Sequence, residues 1–175
     1  MNYFIMPMHP DIWPAVHQIY GEGIVTGTAT FETELPDWHK WDSSHRKDCR
    51  LVAVETGGEE LLVSPAKIKV LGWAALGDVS ARRVYRGVAE VSIYVAAAAR
   101  GKGIGKALLE ALIQESELNG IWTLQAGIFP ENKASVGLHK SCGFREVGVR
   151  RKLGKLGEAW RDVLLLERRS SKVGL

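Results

Sequence analysis

The sequence predicts an α/β fold, with a central mixed β-sheet flanked by helices on both faces. Three observations predict it. Short alternating or β-branched runs bounded by Gly and Pro read as strands. Apolar residues at helical spacing separate those runs. A cluster of glycines, Arg100-Gly101-Lys102-Gly103-Ile104-Gly105, stands between one strand and the longest helix. Strands and helices interleaved in this way call for a sheet covered on both sides.

The chain has 175 residues, enough for one core, and no Pro/Gly/Ser-rich linker divides it. A single domain over residues 1–175 is expected. Its 46% hydrophobic and 25% charged residues suit an ordinary globular protein rather than a disordered or fibrous one. Apolar runs such as Leu164 to Leu166 are too short to cross a bilayer, and the start lacks a basic stretch followed by a long apolar one. No membrane partner is therefore expected. Cys49 and Cys142 are the only cysteines, with no CxxC pair, which fits reduced thiols and a cytoplasmic location. The net charge is +3. Much of the excess lies in Arg150, Arg151, Lys152, Lys155, Arg168, Arg169 and Lys172, without the interleaved aromatics of a nucleic-acid stripe. It reads as a solvated surface, and no nucleic-acid partner is expected.

Tyr3 to Met8 reads as the first strand. Ile12, Val16 and Ile19 give a helix from Asp11, with Pro14 in its first turn and Gly21 and Gly23 as its stop. Ala29 to Phe31 is extended. A second helix begins near Pro36 and carries Trp38, Trp41 and His45. Leu51–Glu55 and Val70–Leu76 are strands, joined by an enlarged connection between Gly57 and Lys69 that has room for a strand of its own. A further strand holds Val91, Ile93 and Val95, in alternation with Ser92 and Tyr94. The long helix runs from Gly103 to about Asn119 on the apolar face of Ile104, Ala107, Leu108, Ala111 and Leu112. Thr123–Ile128, a short helix Asn132–Ser141 stopped by Gly143, and the strands Phe144–Val149 and Trp160–Leu166 complete the chain. Trp73 and Trp122 are expected in the core, and Trp38 and Trp41 are expected to pack along one helix.

The glycine cluster is the most informative segment. Glycines allow positive φ and close backbone approach, and a helix start offers unpaired N–H groups to a phosphate. The Walker pattern does not fit, because Gly105-Lys106 is followed by Ala107. The dinucleotide pattern GxGxxG lacks its third glycine, with Lys106 and Leu108 in its place. What stands is R-x-x-G-x-G after a strand. Taken alone, it reads either as a phosphate turn or as a plain tight turn.

This turn resembles the pyrophosphate turn of GNAT acetyltransferases. Trp122-Thr123-Leu124-Gln125-Ala126-Gly127-Ile128-Phe129-Pro130-Glu131-Asn132 closely resembles the phosphinothricin and methionine sulfoximine acetyltransferase branch of that superfamily. So do Thr28-Ala29-Thr30-Phe31-Glu32, Gly72-Trp73-Ala74-Ala75-Leu76, Leu138-His139 before Gly143-Phe144, and Trp160-Arg161-Asp162-Val163. The resemblance implies the GNAT fold, an N-acetyltransferase with acetyl-CoA as co-substrate and no metal, a small amino acid acceptor, and a homodimer. The acceptors it suggests are methionine sulfoximine, phosphinothricin and methionine sulfone.

Acetyl transfer to an amine needs a base, since an α-amine is mostly protonated at neutral pH. Glu90 stands where the family places a carboxylate; otherwise it is a strand-end partner for an Arg. His139 is the candidate acid for the leaving thiolate, with an ordinary pKa of about 6.5, or a structural side chain of its helix. By resemblance the Val95 backbone pairs with the pantetheine arm, and Arg100, Gly101, Gly103 and Gly105 line the pyrophosphate turn. Lys102 and Lys106 add charge or are simply solvated. Asn132 meets the cofactor, and Ser135 is a contact or a helix-surface residue. For the acceptor, a carboxylate wants a bidentate Arg. Arg82, three residues before Tyr85, resembles the family's R-x-A-Y pocket segment, with Arg83 as the fallback. Phe31 and Glu32 shape the other wall. Val84 and Ala89 depart from the family pattern near the acceptor. Two rival readings stand beside this one: a GNAT enzyme for a peptide N-terminus or polyamine, and an acyl-CoA-binding module without turnover.

Overall fold

The structure, a computed structural model, describes residues 2–56 and 68–175. The described residues form seven strands, β1 (Tyr3–Pro7), β2 (Leu51–Glu55), β3 (Val70–Asp78), β4 (Val88–Val95), β5 (Thr123–Ile128), β6 (Arg145–Leu156) and β7 (Ala159–Arg169). They form one sheet in the order β1-β2-β3-β4-β5-β7-β6. Every pairing is antiparallel except β4 with β5. The helices are α1 (Trp13–Val25), α2 (Trp38–Ser44), α3 (Ile104–Leu118) and α4 (Lys133–Ser141). No described helix is long and apolar enough to cross a membrane.

Strand alternation splits the core in two. On β2, Leu51 and Ala53 join one cluster with Leu108, Leu109 and Leu112 of α3, while Val52 and Val54 join another with Val16 and Ile19 of α1. Successive side chains of a strand point to opposite faces, so α3 covers one face of the sheet and α1 with α2 the other.

Two terminations differ from the sequence reading. Helix α1 does not stop at Gly21 or Gly23 but runs to Val25, and Gly27 at φ +64 closes it. Gly23 is there for space: a Cβ on it would lie 2.6 Å from Cδ1 of Tyr94 on β4. The closing hairpin is also longer than expected, because β6 reaches Leu156. Nearly all of β6 is exposed, so no burial alternation marks its length. Its pairing with β7 is irregular between Arg150 and Gly154, where Lys152 sits at φ +48 and its N–H donates to Asp162 Oδ1 at 2.7 Å. Trp122 is half-buried rather than core, with its ring against the backbone of Gly87 and Gly174 and under Arg86. Most of the enlarged connection after Glu55 lies outside the described residues, including the strand the sequence leaves room for.

Elsewhere local chemistry explains the elements. Asp37 caps α2 by accepting the Lys40 N–H at 2.8 Å. Asn132 caps α4 by accepting the Ser135 N–H at 3.1 Å, and Gly143 at φ +86 ends it. Trp41 and Trp73 are buried face to edge, with ring centroids 5.6 Å apart, and Arg50 lies 4.9 Å over Trp41.

Candidate active site

The site grows from a flaw in the sheet. β4 pairs with β5 only from Val88 to Glu90, against Thr123 to Gln125. Beyond that point β4 keeps its partner β3 as far as Gly72↔Val95, while β5 keeps β7 as far as Ile128↔Leu164. The two central strands therefore splay apart. In an antiparallel ladder, hydrogen-bonded and non-bonded pairs alternate. The Ala96 N–H donates to Leu71 O at 2.9 Å, which assigns the even residues of β4 to β3. The N–H and C=O groups of Val91, Ile93 and Val95 consequently face the gap.

Two cavities open from it. The first, about 370 Å³, is lined by Glu90, Ser92 and Tyr94 of β4, by Gln125 and Gly127 of β5, and by the segment Ala29 to Glu32. The second, about 520 Å³, runs from Val95 past Arg100, Gly101 and Gly103 to Lys106 and α4. Ala29, Ile93, Tyr94, Asn132 and Ser135 line both, so the cavities meet there.

The second cavity suits a diphosphate. Gly101 and Gly103 take φ of +73 and +82, which side chains rarely adopt. Both are open above the backbone, and the first N–H groups of α3 follow directly. A Cβ on Gly105 would meet Leu138 at 3.2 Å, so this glycine also lets α3 and α4 close on each other. Arg100 Nε donates to Val95 O at 3.2 Å, tying the turn to the strand edge. Lys106 lines the cavity and lies 3.8 Å from Glu110. Lys102 does not; its ammonium turns back to Ala98 O at 2.7 Å.

In the first cavity Glu90 Oε2 accepts from Gln125 Nε2 at 2.9 Å, across the last rung of the parallel pair. His139 is 2% exposed, and its Nδ1 lies 2.9 Å from Ser135 O. A carbonyl only accepts, so Nδ1 carries the proton. Nε2, buried and without a partner among the described residues, then holds a lone pair in the neutral ring. Burial keeps this imidazole below its ordinary pKa, and the Ser135 bond offsets only part of that. Burial likewise raises the Tyr20 and Tyr94 phenols, which therefore stay protonated donors. Phe31 rests edge-on against Phe129 with centroids 4.8 Å apart, and Glu32 pairs with Lys40 at 3.2 Å.

Arg82 and Tyr85 stand together elsewhere. Arg82 lies 5.5 Å over the Tyr85 ring, both are exposed, and neither lines either of these two cavities. Among the described residues, Arg150 of β6 is the cation that lines the first cavity. The sequence reading placed it in a solvated basic run. The signal that finds it is register, for Arg150 pairs with Val163, whose side chain is also in the lining. Among the described residues no three His, Cys, Asp or Glu side chains cluster as a metal site requires.

The model of the acetyltransferase (GNAT) family matches residues 13–144, which hold the glycine turn, Glu90 and His139. The chain belongs to the GNAT acetyltransferase family. This acetyltransferase is 38% identical over 160 residues to the phosphinothricin N-acetyltransferase of Alcaligenes faecalis, a match covering 90% of this chain and 78% of that one. It is 36% identical to the L-methionine sulfoximine/L-methionine sulfone acetyltransferase of Salmonella typhimurium, over 87% of this chain and 86% of the relative. The crystal structure of a phosphinothricin acetyltransferase from Sinorhizobium meliloti in complex with AcCoA superposes with a TM-score of 0.81 at 26% identity, covering 99% of this chain and 91% of that one. The acetyltransferase therefore uses acetyl-CoA, and the second cavity, with its glycine turn and helix start, has the donors to hold the diphosphate.

Proposed function

We propose that this acetyltransferase acetylates the α-amine of a small amino acid analogue such as L-methionine sulfoximine, phosphinothricin or methionine sulfone. The observation that carries the reading is the charge arrangement of the first cavity. Glu90 and Glu32 supply carboxylates for an ammonium group, and Arg150 supplies a cation for a carboxylate, in a space of about 370 Å³ joined to the cofactor cavity. A zwitterion of amino acid size suits that arrangement. A polyamine has no carboxylate for Arg150, and a long peptide has no need of so small a space.

Acetyl-CoA supplies the activated acetyl thioester. Val95 offers its gap-facing N–H to the pantetheine arm, and Gly101, Gly103 and Gly105 with Arg100 and Lys106 hold the diphosphate. Glu90, oriented by Gln125, takes the proton that the ammonium must lose before it can attack. His139 enters neutral, so its Nε2 accepts a proton first and returns it to the departing thiolate. The ammonium sheds two protons on becoming an amide. One leaves before attack, and Glu90 passes it to solvent. The other leaves after attack and matches the proton the thiolate takes through His139, so amide, CoA thiol and one released proton balance.

The protein works as a cytoplasmic single-domain chain in a homodimer. Val147, Val149, Leu153 and Trp160 expose 42 to 55% of their surface along the outer hairpin, and a second copy would cover them. Arg82 and Tyr85, exposed and outside the lining of both cavities, then serve the acceptor pocket of the second copy. Light scattering should give twice the chain mass of 19.3 kDa, and a monomer at all concentrations would remove the dimer. The function itself is tested by following thiol release from acetyl-CoA with methionine sulfoximine, phosphinothricin, methionine sulfone, glutamate, spermidine and a short peptide. Turnover confined to the amino acid analogues is expected. Preference for the peptide or spermidine would move the acceptor, and silence with acetyl-CoA still bound would favour a binding module.

A further inference from the structure

Between α1 and α2 the chain runs from Thr26 to Glu32 without regular secondary structure, yet it forms part of both cavities. Thr26 and Thr28 line the cofactor side, Thr30, Phe31 and Glu32 the acceptor side, and Ala29 both. The segment leaves α1, which packs over β3 and β4, and docks on Phe129 just past β5, on Asn132 at the cap of α4 and on Arg161 of β7. It therefore spans the gap between the splayed strands. Its internal hydrogen bonds are short-range, such as Glu32 N–H to Thr30 Oγ1 at 3.0 Å. A stretch like this keeps its place through what it docks on.

Three contacts hold it to the far wall. Arg161 Nη2 donates to Gly27 O at 2.8 Å, Asn132 Nδ2 donates to Thr28 O at 3.3 Å, and the Phe31 ring meets Phe129. Arg161, on β7, contributes to more than the first. Its Nη1 lies 3.1 Å from Glu131 Oε1, beside the Asn132 cap, and its guanidinium carbon lies 5.0 Å over the Phe129 ring on which Phe31 rests. One side chain thus grips the segment's backbone, the start of α4 and the ring beneath Phe31. A guanidinium has a rigid fork of donors that can serve a carbonyl and a carboxylate together, which a lysine ammonium cannot match in geometry. The side chain is 25% exposed, so water competes only partly for these bonds. Arg161 lines neither cavity.

We infer that Arg161 is a positioning residue for acetyl transfer, strapping the Thr26–Glu32 segment across the junction of the two cavities and so setting where Phe31 and Glu32 stand relative to the thioester. The inference rests on the first cavity being the acceptor pocket. Displacement of a pocket wall by even about 1 Å costs rate far beyond the lost contact.

The test compares wild type with Arg161→Lys and Arg161→Met in two readouts. The first is steady-state kinetics with the best acceptor. The acceptor KM is expected to rise about tenfold or more in Arg161→Met and less in Arg161→Lys, with acetyl-CoA affinity within about threefold of wild type. The second is amide hydrogen exchange of the free protein without acceptor, where residues 27–32 should exchange faster in both variants while β4 and α3 hold their protection. An acceptor KM within twofold of wild type in Arg161→Met overturns the inference. So does unchanged exchange at residues 27–32, a result readable even where wild type proves silent on every amine and the acceptor reading itself has failed.

Discussion

Replacing Glu90 by Gln separates catalysis from folding more cleanly than any other change to this protein. The residue is exposed on the cavity wall, and among the described residues its carboxylate accepts one hydrogen bond, from Gln125 at 2.9 Å. Gln keeps the volume and leaves an amide oxygen to accept that bond. Stability should therefore move by no more than about 0.5 kcal/mol, the range of substitutions that disturb no packing. Acetyl-CoA affinity should hold too, because the diphosphate turn and the free edge of β4 lie further along the strand. What the amide cannot do is take a proton. General bases contribute about 10²- to 10⁴-fold, or about 2.7 to 5.4 kcal/mol at 1.36 per decade. The assay is kcat by thiol release, beside acetyl-CoA titration calorimetry and a thermal melt. A kcat within about threefold of wild type would refute the argument and reduce Glu90 to a partner of Gln125. A loss of rate matched by a loss of acetyl-CoA affinity would refute it as well.

Three further outcomes follow from particular contacts. Gly23→Ala gains about 1 kcal/mol of helix propensity but drives a methyl into the Tyr94 ring, costing about 1–3 kcal/mol, so the melting temperature should fall or hold; a clear rise would show that α1 moves freely off β4. His139 and His45 are both held below the ordinary imidazole value of 6.5, in each case chiefly by burial. The unfolded chain then binds more protons below about pH 6.5, so denaturant midpoints should drop as pH falls from there through the folded values, and His139→Gln should flatten part of that slope. Arg150→Leu should raise the acceptor KM about tenfold to a hundredfold, the worth of a charged hydrogen bond, with kcat little changed. An unaltered KM would transfer carboxylate recognition to Arg82 of a second copy.

The sheet, its helices and the glycine turn were legible because each carries a local signature. Val91, Ile93 and Val95 alternate, and the leucines of α3 recur at helical spacing. Gly101 and Gly103 stand at positive φ that the turn requires. Helix ends were less legible where a residue has two uses. Gly23 looks like a stop, but its purpose is a contact with Tyr94, far away in sequence. Trp122 looks like core, yet it covers a backbone surface at Gly87 and Gly174. In the site, Glu90 and His139 could be named from the residues that resemble the family. Arg150 could not, since its place depends on a register broken by the irregular pairing of β6. The proton at Nδ1 of His139 rests on a local contact, the nearness of Ser135 O one helical turn back, which depends on how the ring is turned and not on spacing alone.

The gap between β4 and β5 also bears on how the protein is kept. Val91, Ile93 and Val95 present backbone donors and acceptors that no strand among the described residues answers, and an unanswered edge inside a sheet invites a stray peptide as readily as a ligand. Acetyl-CoA, laid along that edge, would act as the chain's missing rung and its guard. At a concentration about a hundred times its Kd, a ligand bound only by the folded state adds about 2.7 kcal/mol. Purification with acetyl-CoA present should thus yield a less sticky protein, whose melting temperature climbs with acetyl-CoA concentration.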